Sequence, residues 1–88
     1  MNADPAAQLT TLEALAAYLA AAFESGDAGA LLDAFAVAAR AEGTTHLATA
    51  AGIAQHELRA AFSSGEMSMT TTLAIMKVID LHLPGAPH

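Results

Sequence analysis

The chain has 88 residues, no cysteine and a formal net charge of −6, from nine acidic against three basic side chains. Disulfides and thiolate metal sites are therefore excluded, and with only Arg40, Arg59 and Lys77 as permanent cations any electrostatic grip on nucleic acid is small. One small domain of this length buries roughly 60% of its unfolded surface, so a homodimer is expected to add stability.

Apolar residues make up 55% of the chain, but the excess is alanine and the aromatics are Tyr18, Phe23, Phe35 and Phe62 alone. Alanine favours helix without adding bulk, which predicts an all-α fold with a thin core. Met1 to Gln8 lack apolar periodicity and contain Asp4 and Pro5, as expected of a flexible lead-in. From Leu9 the domain begins: Leu12, Leu15, Ala16, Leu19, Ala22 and Phe23 recur at helical spacing after Thr10 or Thr11 as a cap, and Ser25-Gly26-Asp27 stop the run. Asp27 then caps a second helix with a stripe of Leu31, Leu32, Phe35, Ala38 and Ala39, closed by Gly43 as a C-terminal glycine. A third and a fourth helix occupy Thr44 to Ser63, with Ser63-Ser64-Gly65 as the loop after them. Ser68 or Thr70 caps a fifth helix carrying Leu73, Ile75, Met76, Ile79 and Leu81, in which Met76 belongs to the core stripe. Leu81 and Leu83 extend beyond it as a short strand or packing contact, and residues 84–88 form a tail that Pro84 and Pro87 keep out of helix. The expected architecture is a five-helix domain over 9–83.

The Thr44–Ser63 stretch has the spacing of a helix-turn-helix. Leu47, Ala48 and Ala51 precede Gly52 on one face, Ile53 follows it, and Leu58, Ala61 and Phe62 continue beyond, which are the positions two crossed helices must bury. Gly52 supplies the positive φ of a tight turn. Thr44 or Thr45 is expected to cap the first helix of the pair, where a hydroxyl and free amides meet a phosphate oxygen; His46 stands beside them. On the outer face of the second helix, Gln55 and Arg59 lie at i, i+4 with His56 next to Gln55, and glutamine and arginine pair bidentately with adenine and guanine in the major groove. The candidate DNA-binding residues are thus Thr44, Thr45, His46, Gln55, His56 and Arg59. An exposed arginine or glutamine on a helix also needs no function at all, Arg59 pairing as readily with Glu57 or Glu66.

These segments resemble the HigA-like addiction-module antidote family, in Ala17-Tyr18-Leu19, Ala22-Phe23-Glu24-Ser25-Gly26-Asp27, Ala38-Ala39-Arg40-Ala41-Glu42-Gly43, Leu47-Ala48 with Ala51-Gly52-Ile53, Leu58 with Ala61-Phe62-Ser63, and Met76-Lys77-Val78-Ile79. The resemblance runs from about Leu12 to Leu83. It implies a Cro/cI-type (lambda repressor-like) helix-turn-helix, an antitoxin that neutralises a RelE/HigB-like toxin by direct contact, and repression of its own operon. The chain departs from the family pattern at Gln55 and Ala60, where basic residues are usual, and at Glu66-Met67-Ser68, where Asn and Pro are usual.

No nucleophile with a base, paired carboxylates or phosphate-cradling loop occurs at usable spacing, so no enzyme, cofactor or metal is expected; His46 and His56 are scattered singly. The Leu9–Phe23 run is too short to span a bilayer and no signal peptide is evident, so a cytoplasmic location without a membrane partner is expected. The leading expectation is a dimeric operator-binding antitoxin. The alternative is a protein-interaction module that keeps the fold with weak or no specific DNA binding, and the alanine-rich helix around Tyr18 is either a partner surface or the lid of the core.

Overall fold

The computed structural model describes residues 5–82, which form six helices and no strand: α1 (Pro5–Gln8), α2 (Leu12–Glu24), α3 (Ala28–Arg40), α4 (Gly43–Ala51), α5 (Gln55–Ser64) and α6 (Met69–His82). The first of these is a single turn lying where an irregular lead-in was expected. It forms because Ala6 and Leu9 are buried, with α1 packed against α3. The expected tail at 84–88, the lead-in at 1–4 and Leu83 lie outside the described residues. Leu81 lies in the last turn of α6, as the helical spacing predicts and not in the alternative short strand, and it is exposed.

Side-chain caps set three of the helix starts. Thr11 accepts from the Ala14 N–H at 3.1 Å, Asp27 from Gly29 at 2.9 Å and the Ser68 hydroxyl from Thr71 at 3.1 Å, each satisfying an amide that the first turn leaves unpaired. The leading edge of α4 is different. Glu42 precedes it without a side-chain cap, so neither Thr44 nor Thr45 has that role.

Gly43 also differs from expectation. It begins α4 rather than closing α3, which ends at Arg40 with Ala41 extended at ψ 139°. The glycine is needed for close approach: its N–H donates to the Leu9 carbonyl at 2.8 Å, and a Cβ there would sit 2.6 Å from the Thr11 carbonyl oxygen. Gly52 has the positive φ that the sequence predicts, 72°, and the Ile53 N–H closes the turn onto the Ala48 carbonyl at 2.9 Å.

Within the core, α2 contacts α3, α4 and α6, while α3 packs on α1, α2, α4 and, most extensively, α5. Leu15, Leu19, Leu47, Leu58, Phe62 and Ile75 are the core's largest fully buried apolar side chains. Phe35 joins the helices, edge-on to Phe23 with centroids 6.0 Å apart and tilted against Phe62 at 5.3 Å. Each such ring pair adds about 0.5–1.5 kcal/mol beyond its buried area. The leucines of α2 therefore close the core, and Tyr18 is half-buried against it. Surplus apolar surface lies on α6 instead. Ile75, Val78 and Ile79 face inward, whereas Leu73 and Met76, the latter expected in the core, are 58% and 44% exposed.

Candidate functional site

The end of α3 explains the site. Its last carbonyls have no following turn to bond them, because the chain turns away at Ala41 and the Gly43 N–H, which would otherwise bond the Ala39 carbonyl, goes to Leu9. Two candidate residues fill the gap. Thr44 is fully buried and its hydroxyl donates to the Ala38 carbonyl, which also accepts from the Ala41 N–H. Arg59 reaches across from α5 and donates from Nη1 to the Ala39 carbonyl at 2.8 Å. A cation placed at a helix C-terminus also meets the negative end of the helix dipole.

Arg59 gathers two more of the candidates. Its Nη2 donates to the Thr45 hydroxyl at 3.1 Å. With the Gln55 amide turned oxygen-inward, as the donors around it require, Gln55 Oε1 accepts from Arg59 Nε at 3.0 Å, from Nη2 at 3.2 Å and from the Thr45 hydroxyl at 3.0 Å. Thr45, Gln55 and Arg59 thus form one polar cluster that ties α3, α4 and α5 together, and the Gln55 amino group is left to face outward.

The Thr44 side chain differs from expectation in being buried, with its hydroxyl turned to the Ala38 carbonyl and away from the outer face of α4. His46 and His56 are exposed, without a hydrogen-bond partner among the described residues, and outside the cluster. Ala54 precedes α5 in extended conformation and offers no side-chain cap, so the first amides of α5 are open to solvent beside Gln55, His56 and the acidic Glu57. The face presents donors and imidazoles, with the guanidinium turned inward. No cluster of metal-ligating side chains occurs among the described residues, and no helix there is long and apolar enough to cross a membrane.

The family profile described as "Probable addiction module antidote protein" matches residues 1–87. The chain belongs to this addiction-module antidote family. No curated protein and no solved structure matches it. Membership suggests a non-enzymatic antitoxin role and implies a toxin as partner.

The antidote has a second surface that the sequence did not single out. A groove of about 400 Å³ runs between α2 and α6, lined by Ala20, Phe23, Met76 and Ile79 with Glu24 and Asp80 at its polar edge. Leu73 and Met69, 58% and 72% exposed, continue the apolar stripe along α6 from Met76. The signal was present in the spacing: Met69, Leu73 and Met76 recur at i, i+4 and i+7, a face distinct from that of Ile75 and Ile79. At the far end of α6, His82 Nδ1 lies 3.6 Å from Glu13 Oε2, an ion pair only when the imidazole is protonated.

Proposed function

We propose that this antidote neutralises a RelE/HigB-like toxin by direct contact and, as a homodimer in the cytoplasm, binds operator DNA through α4, the Gly52 turn and α5 acting as a lambda repressor-like helix-turn-helix. The observation that carries the DNA half is the geometry of α5: its uncapped first turn is exposed with Gln55 and His56 on it, and Arg59 and Thr45 hold Gln55 in one orientation. Amide groups at a helix start, an amide side chain and imidazoles are the groups that meet phosphates and base edges when such a helix enters a major groove. Two copies would present their α5 helices about 34 Å apart, calling for half-sites roughly 10 bp apart.

Titration onto DNA from the gene's own upstream region, followed by fluorescence anisotropy at low and physiological salt against scrambled DNA, tests this reading. Preference for the upstream DNA at physiological salt sustains it. Binding without preference, or none, overturns the operator half.

A specific observation favours a second reading, a protein-interaction module without specific DNA binding. Arg59 is engaged by Ala39, Thr45 and Gln55, Glu57 stands on the exposed first turn of α5, and Lys77 lies on a different helix. Neutralisation of the toxin encoded beside this gene, in cells where the upstream DNA is not bound, is the outcome that selects it.

A further inference from the structure

We infer that the groove between α2 and α6 is the toxin-docking site and that its occupant is a basic amphipathic helix, with apolar residues on one face and lysines or arginines flanking them. The inference rests on the antidote reading only for the partner's being a toxin; the chemistry of the occupant comes from the groove itself.

The floor is apolar and preformed. Phe23 is anchored by its edge-on contact with Phe35, Ile79 is buried, and the exposed Met76 lines the groove with a flexible, polarisable side chain that adapts to a partner's shape. A second depression adjoins it on the other side of Phe23, lined by Ala22, Leu31 and Asp27 among others. Met76, Leu73 and Met69 are exposed on one face of α6 and, with the groove beside Met76, give an apolar strip of the kind that accepts anchors at i, i+3, i+4 and i+7 of an incoming helix.

Charge decides what covers the strip. Glu24 and Asp80 line the groove, and neither has a hydrogen-bond or ion-pair partner among the described residues; Asp27 lines the adjoining depression. Closing an uncharged or acidic surface over Glu24 and Asp80 would desolvate carboxylates with nothing to pair them, whereas lysines at the edges of an incoming helix would meet them. A second copy of this chain fits poorly, since it brings nine acidic against three basic side chains and Arg59 is already engaged by Ala39 and Thr45. The homodimer of the preceding section therefore uses another surface.

The test uses a fluorescent peptide of about 18 residues, roughly five helical turns, built of leucine and lysine in an amphipathic pattern, with a leucine–glutamate peptide of the same pattern as control. Wild-type protein is expected to bind the first and not the second. Met76→Glu adds negative charge, so it would retain or strengthen diffuse attraction, yet it is expected to weaken groove docking at least about tenfold, the change produced by about 1.4 kcal/mol. Equal or tighter binding by Met76→Glu overturns the inference. Should Met76→Glu fail to melt cooperatively, Glu24→Lys with Asp80→Lys, both exposed, is expected to reverse the preference between the two peptides, and an unchanged preference counts against the groove. A wild-type dimer that Met76→Glu converts to monomer in sedimentation assigns the strip to a second copy and overturns the inference. So does a peptide that binds only after residues 83–88 are removed, because the tail then occupies the groove.

Failure here is separable from failure of the antidote reading. Equal neutralisation of the adjacent gene's toxin by wild type and Met76→Glu removes the groove and keeps the antidote. Peptide docking by a protein that neutralises nothing does the reverse.

Discussion

Arg59 on α5 donates to the carbonyl of Ala39 at the end of α3, 2.8 Å away, and so caps one helix from another. The Ala39 oxygen needs this donor because the Gly43 N–H is committed to Leu9. Arg59 therefore stabilises the fold whatever α5 touches outside, which changes what its substitution can report. Loss of DNA binding in an Arg59 variant would not by itself mark a base contact.

Arg59→Ala is expected to destabilise the protein by about 1.5–2 kcal/mol, the lower part of the range for hydrogen bonds to a charged group because the site is only part-buried. Arg59→Lys should recover less than half, since an ammonium cannot reach Ala39, Thr45 and Gln55 together as the planar fork does. Urea denaturation of the three proteins measures both. A lysine variant as stable as wild type would show that charge at the α3 terminus, not the fork, is what matters.

Gly43, which begins α4, and Gly52, which ends it, should respond differently to alanine. At Gly43 the new Cβ meets the backbone oxygens of Thr11 and Leu9 at 2.6 and 2.9 Å, neither of which can move without displacing the α1–α2 connection. Gly43→Ala is expected to cost about 2–3 kcal/mol, as overpacking against backbone does. At Gly52 nothing lies within 4 Å and only the positive φ resists, so Gly52→Ala should cost about 1–2 kcal/mol. Thermal melts that reverse this order would contradict the close approach at Gly43.

Thr44→Val removes the hydroxyl that donates to Ala38 but nearly preserves volume. Because the Ala38 carbonyl keeps the Ala41 N–H at 3.1 Å, the expected loss is about 1 kcal/mol, the net value of one hydrogen bond. DNA and peptide affinities measured under conditions where the variant is fully folded should be unchanged, since the side chain is buried. A selective loss of binding would show that the corner opens in the complex.

His56 and Ala60 offer cleaner probes of the outer face of α5 because both are exposed. His56→Ala is expected to leave stability within about 0.5 kcal/mol of wild type and to weaken upstream-DNA binding. Ala60→Lys should tighten it, steepening the logarithmic salt dependence by about 0.9 for each phosphate the new cation neutralises. Anisotropy over a range of salt concentrations reads both effects. If neither substitution moves DNA affinity, α5 is not the DNA-contacting helix.

What the sequence states most clearly is local. Helical spacing places α2 to α6, Thr11, Asp27 and Ser68 announce their starts through hydroxyl and carboxylate caps, and Gly52 marks a positive φ, because each of these depends on residues within one or two turns. The α1 turn was missed because it is held by burial of Ala6 and Leu9 against α3 and carries no periodicity of its own.

Where residues distant in sequence meet, the sequence gives no sign of the outcome. Gly43 looks like a helix-ending glycine until Leu9 and Thr11 are seen crossing it, and Thr44 looks like an exposed cap until the α3–α4 corner buries it under Ala38. Arg59 is one cation on an amphipathic helix in sequence; an orphaned carbonyl twenty residues earlier draws it inward. Met76 and Leu73 share an apolar character with Ile75 and Ile79, yet only the placement of α2 selects which face of α6 is covered. The sequence by itself determined the five longer helices, most of their caps and the antidote family. Tertiary structure alone decided which polar groups find partners inside and which apolar face stays open, because unpaired carbonyls and uncovered surface exist only once helices are set against one another.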